Sequence, residues 1–291
     1  MPTPRQWLQG ARPRTLPAAL SPVIAGCGIA AFENRFAVLP ALLCLLVAVA
    51  LQVGVNYAND YSDGIRGTDA DRVGPLRLVG SGLAEPGRVR TAAFGCFAVA
   101  GLAGVGVVLI SQIWWLLIVG VAAVAAAWFY TGGAHPYGYL GLGEVFVFVF
   151  FGLVAVAGTV LVQVGFVTTA TWPAAVAVGA LACAILVANN LRDLAGDAAA
   201  GKRTLATRIG DRATRWFYTA LVLAAAVAVV LVAVISTWWA LLGLVLLPVA
   251  YRPVASVLGG ASGPRLIGVL KVTGVAQLAT AVGLATGLVI G

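Results

Sequence analysis

Charge is what this sequence has least of. Only 10% of its 291 residues are Asp, Glu, Lys or Arg, while 61% are hydrophobic, and its mean hydropathy is +1.01. Soluble domains carry about 25% charged residues, so an ordinary water-soluble globule is excluded. Cysteine occurs four times, as Cys27, Cys44, Cys96 and Cys183, each alone in an apolar stretch. Without CxxC spacing they read as packing residues, not as a zinc site or a disulfide framework. Histidine occurs once, at His135, and acidic residues number ten against eighteen basic ones.

What fills the space is hydrophobic runs. Spanning a hydrocarbon core of about 30 Å at about 1.5 Å per residue takes roughly 20 apolar residues. Nine such segments are expected, at about 16–32, 37–58, 91–110, 114–131, 144–164, 172–191, 214–235, 237–251 and 267–290, the eighth being short and interrupted by Pro248. The fold class is therefore all-α: a polytopic membrane protein set in a lipid bilayer.

The net charge of +8 invites a nucleic-acid partner. Placed on nine alternating segments, however, nearly every Lys and Arg falls on one side, with Arg35 alone opposite. By the positive-inside rule that side, with the N-terminus and the polar loops, is cytoplasmic. The charge sets orientation, and no nucleic-acid partner is expected.

Residues 56–71 hold four of the ten acidic residues, Asp60, Asp63, Asp69 and Asp71, at the end of the second apolar segment. Polar groups there are costly, and by default they mark a functional site. If the helix continues through the motif, Asn56, Asn59, Asp60 and Asp63 fall at i, i+3, i+4 and i+7, on one face. The sixth segment ends in Asn189-Asn190-Leu-Arg192-Asp193-Leu-Ala-Gly-Asp197, followed by Lys202-Arg203-Thr204. Asn189, Asp193 and Asp197 again share a face. A shift of 130 positions lays Asn189 and Asp193 over Asn59 and Asp63, and Lys202 over Arg72, which suggests one domain of two related halves, about 1–131 and 132–291.

Two acidic faces entering from one side of the membrane can bracket a ligand. Mg²⁺ takes oxygen ligands and is usually held by a few carboxylates together with substrate phosphates. Asp60, Asp63, Asp193 and Asp197 are the expected metal-binding and catalytic residues, with Lys202 and nearby arginines on a diphosphate. Helix capping and solvated loop charge explain one acidic cluster well and two at the same face poorly.

Three further stretches have two readings each. Arg12 and Arg14 either contact lipid headgroups or turn inward to a substrate phosphate. The polar loop 59–90 is either a functional cap or a solvated positive-inside loop. In the loop 130–144, His135 is either a proton carrier or phosphate donor or a bland loop residue. Glu144, at the mouth of the next helix, caps that helix or orients a neighbour.

Asn56-x-x-Asn59-Asp60-x-x-Asp63 with Gly67-Thr68-Asp69, and Asp193-x-x-x-Asp197 with Gly201-Lys202-Arg203-Thr204, resemble the two aspartate-rich motifs of the UbiA superfamily of intramembrane prenyltransferases. Arg12-Pro-Arg-Thr-Leu-Pro17, Arg77-Leu-Val-Gly-Ser-Gly82 and the stretch from Tyr130-Thr-Gly-Gly to Gly143-Glu144 resemble its branch that prenylates 1,4-dihydroxy-2-naphthoate in menaquinone synthesis. Two departures stand out. The position four after Asp63, often a third aspartate, is Gly67, and the position four after Tyr130, often lysine, is Ala134.

The resemblance implies nine helices around a central cavity with cytoplasmic cap loops. It implies Mg²⁺-dependent transfer of a polyprenyl group from an allylic polyprenyl diphosphate to dihydroxynaphthoate, with loss of CO2 and pyrophosphate. Asn56, Asn59, Asn189, Lys202, Arg72, Arg14, Tyr130 and His135 are then the expected substrate-binding residues, and Tyr57, Tyr61 and Tyr130 offer ring faces to a carbocation. The alternatives are another aromatic acceptor such as 4-hydroxybenzoate, a CDP-alcohol phosphotransferase, or an ion-coupled secondary transporter. The phosphotransferase would want its aspartates in one motif, and the transporter would want them near mid-bilayer.

Overall fold

A computed structural model describes residues 2–67 and 76–291, and among these the chain is helical throughout with no strand. Helix α1 (Pro4–Gly10) opens with a reciprocal cap between Thr3 and Gln6 and Pro4 in its first turn. Arg12, at φ 54° ahead of Pro13, turns the chain into α2 (Leu16–Phe32). Then follow α3 (Val38–Ile65), α4 (Pro86–Ser111), α5 (Leu116–Phe129), α6 (Gly143–Val164), α7 (Thr171–Ala199), α8 (Leu205–Ile235), α9 (Trp238–Leu258) and α10 (Arg265–Ile290).

Eight runs among the described residues are long and apolar enough to cross a membrane, α1 and α2 counting as one. The fourth expected span, α5, has 14 residues and is the short one, while the eighth, despite Pro248, reaches 21. Many large apolar side chains are exposed, as at Leu102, Ile118 and Val121, each more than 70% exposed. That outward face suits lipid, and the chain is a multi-pass membrane protein.

Because lipid is as apolar as Leu, these helices associate through close packing and not by escaping water. Helix α7 shows how. Its buried face is mostly small, from Ala174 and Ala175 through Gly179 to Ala184, and it packs against α6, α8 and α10. Within α6, Phe148–Val154 forms a π-helical segment whose Gly152 meets Gly179, where an added Cβ would lie 2.8 Å from the Gly179 Cα.

A large core joins α2 and the end of α6 to α7 through α10. A smaller one joins α3, α4 and residues 78–84. Between them lies a cavity of about 1000 Å³, walled mainly by α2, α3, α5, α6 and α7. Val47, Leu51, Phe150 and Val154 are typical of its wall, and its polar side chains gather at the ends of α3 and α7. The central cavity expected from the resemblance is present.

Candidate active site

The helix of α3 does run through the first motif to Ile65, so Asn56, Asn59, Asp60 and Asp63 share a stripe as the spacing predicts. The stripe serves two sides. Asn59 and Asp63 line the cavity, and the Asn59 amide oxygen accepts from Thr131 Oγ1 at 2.8 Å. Asn56 also lines it, but its amide nitrogen donates to Ala11 O at 2.9 Å and Thr15 Oγ1 at 3.0 Å, fastening the turn ahead of α2.

Asp60 departs from expectation. It is fully buried and outside the cavity lining, and its two carboxylate oxygens accept the backbone N–H groups of Leu78 (2.7 Å) and Val79 (3.0 Å).

Asp63 carries the polar end of the site. Tyr139 donates its hydroxyl to Asp63 Oδ1 at 2.5 Å, Arg77 Nη2 lies 3.4 Å from Oδ2, and Lys202 Nζ lies 3.5 Å from Oδ1. The same Lys202 ammonium is 4.0 Å from Asp197 Oδ1 and 4.7 Å from the centre of the Tyr139 ring. Two motifs more than 130 residues apart in sequence thus meet at one ammonium group.

Local structure explains why Lys202 arrives there. Gly201, at φ 71°, takes the left-handed conformation that ends α7. Gly201 N–H donates to Ala198 O at 3.2 Å and Lys202 N–H to Asp197 O at 2.8 Å, a paired C-terminal cap that folds the chain back over its own helix end. Arg203 N–H then donates to Tyr139 O at 3.0 Å, joining the loop before α6 to the turn before α8.

On α7 itself, Asn189, Asp193 and Asp197 line the cavity from one face. Arg192 grips Asp193 with two bonds of 2.7 Å and donates to Asn189 Oδ1 at 2.8 Å. Asn190 lines the cavity as well, and its amide nitrogen donates to Glu144 Oε1 at 2.9 Å, so Glu144 orients a neighbour.

Tyr130 and Arg14 line the cavity as expected. His135 does not; it sits exposed on the loop after α5, one position before Pro136 begins the turn toward α6. Arg72 lies outside the described residues. Tyr57 and Tyr61 are also absent from the lining: Tyr57 donates to Trp7 O at 2.9 Å, and Tyr61 stacks on Trp128 beneath Arg90. Among the aromatics at the cavity wall, Tyr130, Tyr137, Phe146 and Phe150 form a chain, each ring within 6.2 Å of the next. Tyr137 donates to Ala126 O at 2.8 Å, and burial pushes its phenol pKa up, so it stays a neutral donor.

The donor set fits a hard divalent cation. Three carboxylates and two amide oxygens border one polar pocket, although among the described residues no three His, Cys, Asp or Glu side chains form a cage. Mg²⁺ usually takes only one or two carboxylates, keeping water and substrate phosphate for the rest. A split set, with Asn59 and Asp63 on α3 and Asn189, Asp193 and Asp197 on α7, satisfies that need.

A profile of the UbiA prenyltransferase family matches residues 19–259. The chain belongs to the UbiA prenyltransferase family. Among its relatives, a 1,4-dihydroxy-2-naphthoate octaprenyltransferase of Mycobacterium tuberculosis is 54% identical over 286 residues, covering 98% of this chain and 97% of that one. One of the same name from Escherichia coli is 37% identical over 77% of this chain and 75% of its own. The fold is shared with a UbiA homolog from Archaeoglobus fulgidus solved with GPP and Mg2+, at 15% identity and a TM-score of 0.69 over 98% of this chain and 100% of that one.

Four residues of this UbiA site were not singled out from sequence as site residues: Arg77, Tyr139, Asn190 and Arg192. Arg77 and Tyr139 lie inside stretches that resemble the family, and Asn190 and Arg192 directly precede the second motif, so the neighbourhood was visible where the individual side chain was not. Nothing in the periodicity distinguishes Tyr139 from Tyr137; only folding of the loop sends one to Asp63 and the other to Ala126.

Proposed function

We propose that this protein transfers a polyprenyl group from an allylic polyprenyl diphosphate to 1,4-dihydroxy-2-naphthoate. The carbon–oxygen bond to the diphosphate breaks, a bond forms to the ring carbon bearing the carboxylate, and pyrophosphate and CO2 leave, giving a demethylmenaquinone. The observation that carries this reading is the meeting of Asp63 and Asp197 at Lys202, at the polar end of an apolar cavity. The mycobacterial relative, named for its action on 1,4-dihydroxy-2-naphthoate, supplies the acceptor.

Each part of the chain has a task. Lys202, Arg77 and Arg192 are cations at the polar end, suited to the oxygens of a diphosphate. Asp63, Asp193 and Asp197 would hold Mg²⁺, with Asn59 and Asn189 adding amide oxygens. When bound, Mg²⁺ supplies positive charge that makes pyrophosphate a better leaving group. The apolar walls take the polyprenyl tail and keep water from the allylic carbocation. Tyr130, Phe146 and Phe150 border that space with π-faces that favour a cation. Tyr139 is less suited, since Lys202 already occupies its face.

The polar mouth faces the cytoplasm in this proposal, because the basic loops cluster at that end. Ion-coupled transport is disfavoured by placement: Asp63 and Asp197 sit two residues from the ends of α3 and α7, not at mid-helix. The test is to incubate purified protein with Mg²⁺, one polyprenyl diphosphate and several aromatic acids, and to identify products by mass. A prenylated, decarboxylated naphthalenediol is expected. A hydroxybenzoate adduct alone would move the protein to another branch of the family, and vesicle uptake without product would favour transport.

A further inference from the structure

Asp60 belongs to the first aspartate-rich motif, yet its carboxylate faces a loop instead of the cavity. We infer that Asp60 is a positioning residue: it clamps the backbone of Leu78 and Val79 and thereby delivers Arg77 to Asp63 and the diphosphate. The inference rests on the prenyl-transfer reading for the identity of the ligand, but not for the clamp itself.

The clamp is built from several sides. Both Asp60 oxygens accept N–H groups, from Leu78 at 2.7 Å and Val79 at 3.0 Å, and the residue is wholly buried. Successive amides converging on one carboxylate are strong, charge-assisted bonds. Leu78 is also fully buried, beneath α1, where a Cβ on Gly10 would lie 2.8 Å from Leu78 Cδ1. On the α3 side, a Cβ on Gly64 would lie 2.6 Å from Val79 Cβ. The dipeptide is thus set between two close approaches that glycine alone permits, with Asp60 supplying the polar bond.

Within the loop, Ala84 N–H donates to Leu78 O at 2.9 Å and Gly82 N–H to Val79 O at 2.9 Å, so the segment is a compact, internally bonded turn. Arg77 precedes the clamped pair directly. Its Nη2 lies 3.4 Å from Asp63 Oδ2, and the side chain lines the cavity. Asp60 and Asp63 are neighbours on one helix, but they reach the site by different routes: Asp63 as an acid in the cavity, Asp60 through the loop that brings a base to meet it.

The test compares Asp60→Asn, Arg77→Met, their double variant and Gly64→Ala in the full-length purified protein. Hydrogen exchange of a peptide covering residues 76–84 reads the clamp, and KM for a polyprenyl diphosphate and the half-saturating Mg²⁺ concentration read its consequence. Asp60→Asn replaces one acceptor oxygen by an NH2 facing an N–H. It is expected to speed exchange of that peptide and to raise KM about tenfold, as one displaced charge-assisted bond would. Arg77→Met should match it, and the double variant should be no worse than either single one, because both remove the same contact. The Mg²⁺ requirement should stay within about twofold of the parent.

A large rise in the Mg²⁺ requirement of Asp60→Asn with the peptide still protected would make Asp60 a metal ligand and overturn the inference. So would KM effects that multiply in the double variant. If Asp60→Asn does not fold, Gly64→Ala decides: it leaves every carboxylate intact, and an unchanged KM with unchanged exchange refutes the clamp. If the parent protein binds no polyprenyl diphosphate, the functional reading fails while the exchange data still judge Asp60.

Discussion

Lys202 Nζ stands 3.5 Å from Asp63 Oδ1, and it joins the end of α3 to the turn that closes α7. Both side chains are more than nine-tenths buried. Asp63 keeps Arg77 when Lys202 is removed, so the cost falls below the about 3–5 kcal/mol of a fully unpaired buried charge, but one of the cations that balance Asp63 and Asp197 is lost. Lys202→Met should therefore lower the melting temperature and reduce pyrophosphate release by at least about 100-fold, roughly 2.7 kcal/mol in the barrier. Lys202→Arg keeps the charge and should recover part of both. Thermal unfolding in detergent and a pyrophosphate-release assay check this, and a Lys202→Met enzyme of normal rate would show that the ammonium only braces the fold.

Chelation separates metal binding from simple charge pairing. With Asp63 and Asp193 already facing Arg77, Arg192 and Lys202, the carboxylates have cationic partners of their own, so removal of Mg²⁺ by EDTA should leave the melting temperature nearly unchanged while stopping pyrophosphate release. Asp63→Asn and Asp197→Asn should each raise the half-saturating Mg²⁺ concentration about tenfold or more, since each removes a carboxylate from a site with few. Activity that survives chelation would contradict the proposed metal role.

The helical continuation of α3 was legible because apolar residues and then amides and acids recur at helical spacing, and the second motif was legible for the same reason. What periodicity does not resolve is which edge of a polar stripe meets which neighbour. A stripe about 100° wide is broader than one binding site. Asn59 and Asp63 occupy the edge toward Tyr139 and Lys202, and Asp60 occupies the edge toward residues 78–79. That distinction depends on where a loop far along the chain folds back. The two readings of His135 stayed open for a related reason: rarity of a residue type is a feature of composition, whereas its exposed place is set by the turn that Pro136 begins. Lys202 was easier to find, because a cation directly follows the second acidic face, five positions after Asp197.

Arg192 and Asp193 form a two-bond fork, both bonds 2.7 Å, with a third from the same guanidinium to Asn189 Oδ1. A lysine carries the same charge on a single point and cannot make this parallel pair. Arg192→Lys should therefore leave expression and helicity intact but lower kcat at least about tenfold, with little recovery at high Mg²⁺, because the orientation of Asp193 is lost and not its charge. A kinetic comparison across Mg²⁺ concentrations measures this. Wild-type kcat in Arg192→Lys would mean that the fork has no part in the reaction.

The contact between Gly152 and Gly179 makes a structural prediction that reaches the site through the cavity wall. A Cβ at Gly152 would meet the Gly179 Cα at 2.8 Å and the Ala175 carbonyl oxygen at 2.9 Å, both backbone atoms that cannot swing aside. Gly152→Val must push α6 from α7, losing the close packing that holds membrane helices together. Overpacking of this kind costs about 1–3 kcal/mol, enough to lower the melting temperature by several degrees. Because Phe150 and Val154 on the same π-helical segment line the cavity, the displacement should also raise KM for the polyprenyl diphosphate more than that for Mg²⁺. A variant as stable as the parent, with both constants unchanged, would show that α6 can move outward freely and that its π segment does not fix the width of the cavity.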